Sequence, residues 1–395
     1  MKHNPLKIVY LIPGGLYNPG GMERTTVLKA NYLADKEGCD VSIVTTEQMG
    51  RPVFFPVSGK VHLIHLDIGI HENFGKENYI QKCISRFLKT REYVRILKKT
   101  LNRIRPDITV SLLGLDIEFL PGFKDGSIKI GELHFPSDFR QLMARKLSGA
   151  YIPNLVAKIR TGNLKKACRK LTRLVVLTEE EKSYWEGATN IEVIPNALSV
   201  FPTTLSDCEA KKAISAGRLV YEKGFDMLIE SWKMVYEKHP DWELHIFGQG
   251  NEKDNLLRQI QKEGLEDVVQ IHPPEKDIYK QYIDHSMFIF PSRYLEAFGM
   301  VQTEAMSCGL PVVAFDAPCG PKDIISDGQN GFLVQTGDIK TMADRINTLI
   351  ESDELRKSMG ATAREMSLNY SEENIMKQWL ELFNYLLSLH KFVEQ

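Results

Sequence analysis

No two of the six cysteines (Cys39, Cys83, Cys168, Cys208, Cys308 and Cys319) stand at C-x-x-C spacing. That absence argues against zinc and dithiol redox sites and makes a reducing cytoplasm the expected compartment. No run approaches the ~18 consecutive apolar residues that a membrane span needs. The opening segment, MKHNPLKIVYLIPGG, has an apolar run of only about seven residues, interrupted by Pro13 and followed by no small-residue cleavage site. It reads as a first strand and not as a signal peptide. No short tandem repeat is visible, only two α/β halves. The chain is not poor in apolar residues: 43% apolar against 26% charged excludes a disordered chain and a disulfide scaffold. At 395 residues it is long enough for about two or three domains.

An excess of either charge is also missing from the total, which is −1. The balance hides an asymmetry. Residues 1–200 hold 30 Lys and Arg against 20 Asp and Glu, whereas residues 201–395 hold 20 against 31. A basic half joined to an acidic half suggests two domains with different partners. The basic half suits anionic lipid, a phosphorylated acceptor or nucleic acid, or is solvated surface charge. Without interleaved aromatic platforms or a known module, no nucleic-acid partner is expected. The densest stretch is 140–173, where Arg140, Arg145, Lys146, Lys158, Arg160, Lys165, Lys166, Arg169, Lys170 and Arg173 occur without one acidic residue. Leu142, Met143, Leu147, Leu155, Val156, Ile159 and Leu164 are interspersed. Read as helices broken around Gly149–Pro153 and Gly162, this is the pattern of an interfacial amphipathic segment on an anionic membrane. The alternative is two helices covering a sheet with their polar side in water.

The chain alternates strand and helix. In the first half, strands are expected at 6–12, 41–46, 61–66, 108–113, 128–133, 173–178 and 191–196, with helices at 22–36 and 78–104. In the second, strands are expected at 212–218, 243–250, 268–272, 287–292, 311–316 and 331–334, a helix at 224–238, and helix through the last 50 residues. Buried strands separated by helices predict parallel sheets covered on both faces. The polar stretch 199–210 is the natural linker. In open sheets of this kind ligands bind beyond the carboxyl ends of the strands.

Three segments carry chemistry. PGGLYNPGGMERT (13–25) lies between a strand and a helix, with Gly20 and Gly21 at the helix start. Glycines and a helix N-terminus can cradle an anion, or this is a tight strand-to-helix turn. It is not the G-x-G-x-x-G dinucleotide fingerprint. GRLVYEKGF (217–225) places Arg218 and Lys223 at one sheet rim, a pair suited to a diphosphate. In YLEAFGMVQTEAMSCGLPVVAFD (294–316) a helix is expected to begin near Phe298 or Gly299. The backbone N–H groups of Phe298, Gly299, Met300 and Val301 would then face phosphate or sugar oxygens. Glu304, about five residues in and thus roughly 7–8 Å along the axis, suits the hydroxyls of a ribose. Glu296 would face the other end of the same ligand. Each glutamate alone is equally a surface acid or a dipole-favoured helical acid.

GRLVYEKGFDMLIESW (217–232), the E-x7-E pattern of Glu296 and Glu304, and GPKDIISDGQNGFLV (320–334) together resemble retaining family 4 glycosyltransferases of the GT-B fold. IPNAL (194–198) resembles that family's passage into its second domain. GPKDII resembles bacterial enzymes of capsule, exopolysaccharide and lipopolysaccharide assembly. The match spans nearly the whole chain, the first half only in outline. The resemblance implies an α/β protein of two Rossmann-like domains facing across a cleft. Residues 1–200 would bind the acceptor and 201–375 the nucleotide-sugar, with 376–395 a C-terminal helix packing back on the first domain. It implies transfer, with retention, of a hexose or N-acetylhexosamine from a UDP-linked donor, GDP being second. The acceptor would be a glycan or a polyprenyl-diphosphate-linked chain. The enzyme would be cytoplasmic, peripheral on the inner face of the cytoplasmic membrane.

By the same resemblance Arg218 and Lys223 neutralise the donor diphosphate, Glu304 binds ribose, and Glu296 with the 298–301 backbone holds the sugar. His134, after the strand at 128–133, stands where such enzymes place a histidine beside the donor sugar; from the residues alone a structural histidine is equally open. His272 borders the base, with HPP in place of the usual glycine. No D-x-D occurs, so the metal–nucleotide signature of the other large glycosyltransferase fold is missing. Neither metal nor cofactor is expected, the nucleotide-sugar being a substrate. The family implies front-face attack assisted by the leaving phosphate, with Glu296 as covalent nucleophile the minority reading. The competing readings are a non-catalytic nucleotide-sugar-binding subunit of an assembly complex and a GT-B sugar-nucleotide epimerase or hydrolase.

Overall fold

The computed structural model describes residues 5–69, 79–139 and 151–394. Short apolar runs bounded by turn residues form strands. β1 (Lys7–Ile12), β2 (Asp40–Thr45), β3 (His62–His65), β4 (Ile108–Ser111), β5 (Ile128–Glu132), β6 (Arg173–Val176) and β7 (Ile191–Val193) build a sheet in the order β3-β2-β1-β4-β5-β6-β7. β8 (Lys212–Ala216), β9 (Glu243–Phe247), β10 (Val269–His272), β11 (Met287–Phe290), β12 (Val312–Phe315) and β13 (Gly331–Val334) build a second, β10-β9-β8-β11-β12-β13. Every pairing is parallel. Successive strand residues point to opposite faces, and Ile8, Val9 and Tyr10 are all fully buried, so both faces of the first sheet are covered.

The chain divides into two compact units. One comprises Met1–Leu177, Lys182–Ile194 and Met376–Gln395; the other comprises Thr178–Glu181 and Pro195–Ile375. In each sheet the strand order reverses once, between β1 and β4 and between β8 and β11. At such a point the loops leaving neighbouring strands diverge and open a crevice beyond the carboxyl ends.

The C-terminal helix, Glu372–Glu394, buries Ile375, Met376, Trp379, Phe383 and Leu386 along one face at three- and four-residue spacing. Its indole at Trp379 lies 4.4 Å from the Lys29 ammonium, and the Tyr385 ring 5.8 Å from the Arg173 guanidinium. Most of this helix, from Met376 onward, falls in the first unit. The stretch 199–210 is fastened within the second unit. Arg364 Nη2 donates to Pro202 O at 2.8 Å, and the buried Arg356 donates from Nε to Cys208 O at 2.9 Å.

Two local expectations are corrected. The helix expected near Phe298 or Gly299 opens at Met300, because Gly299 takes φ 83°, a left-handed conformation that cannot continue into a helix. Residues Arg140, Leu142, Met143, Arg145, Lys146, Leu147 and the break around Gly149 fall outside the described residues. Beyond them, Tyr151–Cys168 is one helix through both Pro153 and Gly162. Proline in a first turn forfeits no helical hydrogen bond, and glycine weakens a helix by only about 1 kcal/mol.

Just past β4, Asp116 is buried and accepts a hydrogen bond from Ser111 Oγ. Burial pushes its carboxyl up to about 6, against the lowering effect of Ser111 and of the Asp116 and Gly114 backbone. A folded-state value above the unfolded ~3.9 means stability that is complete below pH ~4 and lost as pH rises to about 6. Asp116→Asn removes that loss. Its melting temperature is expected to exceed wild type by roughly 5 °C at pH 8 and to match it near pH 4. An equal gain at both pH values would refute the assignment.

Candidate functional site

In the second unit the switch point is built by backbone packed on backbone. A Cβ on Gly248 would come within 1.9 Å of Gly217 O, and one on Gly250 within 2.1 Å of Leu219 O. The loops after β8 and β9 therefore touch directly, and Leu219 N donates to Gln249 O at 2.9 Å. The loop after β8 continues into the turn Tyr221–Lys223 and then Gly224, at φ 67°, where a Cβ would meet Pro291 O at 2.0 Å. No other residue lets the loops after β8 and β11 lie so close.

This contact delivers Lys223 to Glu296. Lys223 Nζ donates to Glu296 Oε1, as does Ser292 Oγ, and the carboxylate is buried. Sequence reasoning gave Lys223 to a diphosphate and Glu296 to the sugar end of the same ligand; the structure pairs the two side chains directly. Leu295, next to Glu296, holds φ 61°, a strained value for a side chain of this kind. Arg293 ties the same loops together. Its backbone N donates to Glu222 O at 2.8 Å, and Nη1 to Tyr221 O at 2.7 Å. Its guanidinium grips Asp226 through Nη1 (2.7 Å) and Nη2 (2.5 Å) and lies 4.2 Å over the Tyr221 ring. Arg293 and Asp226 were missed in the sequence, where nothing separates them from other surface charges.

Arg218 is exposed on the loop after β8 and forms no ion pair among the described residues. The helix Met300–Ser307 follows the loop after β11, and no side chain caps it. Met300 and Val301 open it, while Phe298 and Gly299 precede it. Phe298 is held by Gly320, whose Cβ would meet Phe298 O at 2.3 Å, and by the Tyr370 ring at 5.5 Å. Glu304 is the buried fifth residue of this helix. His272 ends β10, which β9 separates from the switch point, and stacks on Phe247 at 4.6 Å. Its Nε2 is buried without a hydrogen-bond partner.

In the first unit, the loop after β1 is zipped to the one after β2. Gly14 N donates to Thr46 Oγ1 and Leu16 N to Gln48 Oε1, each at 2.8 Å. Gly20 caps the helix Gly21–Asp35, and the Glu23 carboxylate folds over it, 2.1 Å from where a Cβ would stand. The helix start thus already carries an anion of its own. His134 Nε2 lies 3.0 Å from Glu132 Oε1, though off hydrogen-bonding angle, and Glu132 is bonded to Lys29. Glu132 and Lys29 were also missed. The signal available was a glutamate closing a short, fully buried strand, IKIGE. Among the described residues no group of three or more His, Cys, Asp or Glu is placed to hold a metal ion.

Residues 201–366 match the family model Glycosyl transferases group 1. The chain is 31% identical over 369 residues to an uncharacterized glycosyltransferase of Haemophilus influenzae, across 91% of this chain and 95% of that protein. The chain belongs to this glycosyltransferase family. The enzyme is also 30% identical over 390 residues to the amylovoran biosynthesis glycosyltransferase AmsD of Erwinia amylovora, across 96% and 99% of the two chains. Among solved structures, a variant of S. aureus TarM in complex with fondaparinux, alpha-GlcNAc-glycerol and UDP superposes with TM-score 0.72 at 20% identity, covering 96% of this chain and 100% of that one. At that identity the likeness is one of fold, the GT-B arrangement of two parallel-sheet α/β domains.

The Arg293 clamp makes a prediction for this glycosyltransferase. Arg293→Ala frees the turn bearing Lys223 from the loop bearing Glu296. Loss of a bidentate, charge-assisted contact of about 1.5–3 kcal/mol should lower turnover by roughly 10- to 100-fold. Arg293→Lys should restore little, because an ammonium cannot grip both oxygens of Asp226 in a fixed fork. Nucleotide release measures it, and wild-type turnover by Arg293→Ala would refute the clamp.

Proposed function

We propose that the enzyme moves a hexose or N-acetylhexosamine, with retention, from a UDP-linked donor to a glycan or polyprenyl-diphosphate-linked acceptor of a bacterial surface polysaccharide. The observation that carries this reading is the Lys223–Glu296 pair beside the uncapped helix Met300–Ser307, at the switch point of the second sheet. Residues 201–375 then bind the donor and 1–200 the acceptor. The names of the relatives support the same direction: AmsD is named for amylovoran biosynthesis, and the TarM structure contains UDP.

The chemical task is to stabilise charge growing on a departing nucleoside diphosphate. Arg218 and Lys223 supply fixed cations, and the N–H groups at Met300 and Val301 supply the positive end of a helix. An ammonium has three N–H donors, so Lys223 serves Glu296 and a phosphate oxygen together. Glu296, with the 298–301 backbone, holds the sugar, and Glu304 holds the ribose. His134 lies beside the donor sugar. Gly20 and Gly21 remain nucleotide-sugar-binding candidates of this reading, with the Glu23 carboxylate tempering their attraction for phosphate. With charge neutralised by the protein, no metal is needed and no residue acts as covalent nucleophile; the leaving phosphate assists the incoming hydroxyl on the same face.

A panel of nucleotide-sugars, with undecaprenyl-linked acceptors and nucleotide release as readout, tests the reading. Free sugar as the sole product would point to a hydrolase instead. Lys223→Ala and Arg218→Ala should each lower turnover about 10²–10³-fold in folded protein. Activity should persist in excess EDTA. Near-normal turnover by Lys223→Ala would sink the diphosphate assignment, and loss in EDTA with rescue by Mg²⁺ or Mn²⁺ would sink the metal-free one.

The acceptor side of the reading includes an anionic membrane surface, touched through residues 140–173. On the helix Tyr151–Cys168, Leu155, Val156 and Ile159 are exposed beside Lys158 and Lys166. Lys165 and Arg169 are spent within the unit, donating to Tyr184 O and Glu186 O. Among the described residues no helix is long and apolar enough to cross a membrane. Each free cation contributes up to about 1 kcal/mol at an anionic leaflet. Co-sedimentation with vesicles should rise with anionic lipid, collapse in high salt, and fall on reversing Lys158, Lys166 and Lys170 to glutamate. A wild-type protein that ignores anionic vesicles at low ionic strength makes a soluble acceptor the better reading.

A further inference from the structure

The first unit buries a charged cluster of which the proposed chemistry uses only the histidine. Lys29, Glu132 and His134 come from the helix Gly21–Asp35, the end of β5 and the residue pair beyond it, and their side chains are 4%, 2% and 4% exposed. Lys29 Nζ donates to Glu132 Oε1, and its ammonium lies over two rings, Trp379 at 4.4 Å and Tyr10 at 5.6 Å. A buried ion pair is a poor source of stability, because desolvation consumes most of the attraction. This pair is also incompletely satisfied: Glu132 Oε2, His134 Nε2 and the Tyr10 hydroxyl are buried without hydrogen-bond partners. What the arrangement does achieve is a fixed carboxylate 3.0 Å from one imidazole nitrogen.

We propose that Glu132, held in place by Lys29, is the positioning residue for His134, fixing the ring's orientation and keeping its proton on Nε2. This rests on the reading that places His134 beside the donor sugar. A carboxylate beside one imidazole nitrogen selects the tautomer protonated there and leaves the other nitrogen's lone pair for a substrate hydroxyl. Glu132 can play only the acceptor. Burial opposes its charge, but Lys29 and then His134 more than offset this and hold the carboxyl down at about 2. Trp379 completes the device: the C-terminal helix presses an indole face on the ammonium that fixes Glu132.

The test removes both charges together, so that neither is left buried alone. Lys29→Met combined with Glu132→Gln should melt close to wild type. Its kcat should fall about 10- to 100-fold while KM for the donor nucleotide-sugar stays within about threefold, as expected when a reacting group is misplaced and ground-state binding is kept. Imidazole ¹⁵N spectra, assigned by difference with His134→Gln, should show one tautomer in wild type and a mixture in the double variant. If the double variant does not fold, Glu132→Asp keeps the charge and withdraws the carboxylate by one methylene, and the same readouts apply. Wild-type kcat with an unchanged His134 spectrum overturns the proposal. If His134→Gln itself turns over normally, the site reading of the histidine fails. The spectra then decide the contact with Glu132 independently: an altered tautomer supports it and an unaltered one overturns it.

Discussion

The loop that leaves β8 can reach the loop that leaves β11 only because residue 224 has no side chain. Gly224 lies against Pro291 O in a left-handed conformation, and that contact sets the distance between Lys223 and Glu296. Arg293 then fastens both loops from the outside through Asp226 and the Tyr221 and Glu222 carbonyls. The same device recurs at Gly248, Gly250 and Gly320, where close backbone approach fixes the neighbouring turns. The proposed donor rim is thus shaped by what is absent at four positions as much as by the charged residues it displays.

Charge inside the protein obeys one rule. A buried carboxylate or guanidinium survives only with partners, because an isolated ion in a poorly polarisable interior costs several kcal/mol. Glu296 has Lys223 and Ser292; Glu132 has Lys29; Arg356 spends its donors on the Cys208, Leu349 and Ile350 carbonyls and on Asp353. Asp116 has Ser111 but no cation, and its proton is held correspondingly tightly. The three pairings serve different ends. The Arg356 set pins 199–210 to the second unit, the Lys223 pair sits at a proposed reaction centre, and the Lys29 pair underlies a histidine.

The C-terminal helix links stability to that last pair. Its apolar face supplies core to the first unit, and one residue of that face, Trp379, also covers the Lys29 ammonium. An ammonium stripped of water gains more from an aromatic face than one left in solvent. The distal end of the chain therefore contributes to the surroundings of a residue, His134, that precedes it by more than half the sequence.

The class of fold was legible in the residues alone. Apolar runs such as LKIVYLI and MFIFPS are too short for helices and too evenly apolar for half-exposed strands, so two parallel sheets follow from them. Glu296, Glu304, Arg218 and Lys223 stood out as well, because a glycine-punctuated loop before a helix is a local pattern. No local pattern could pair Lys223 with Glu296, which are 73 residues apart, or bring Lys29 to Glu132 across 103. A helix start was misplaced by one or two residues at Gly299 and a helix break at Gly162, since glycine permits a turn without requiring one. Periodicity reports which face of an element is buried. Which charges meet in the interior depends on the order in which the strands are laid side by side, and that order exists only once the chain has folded.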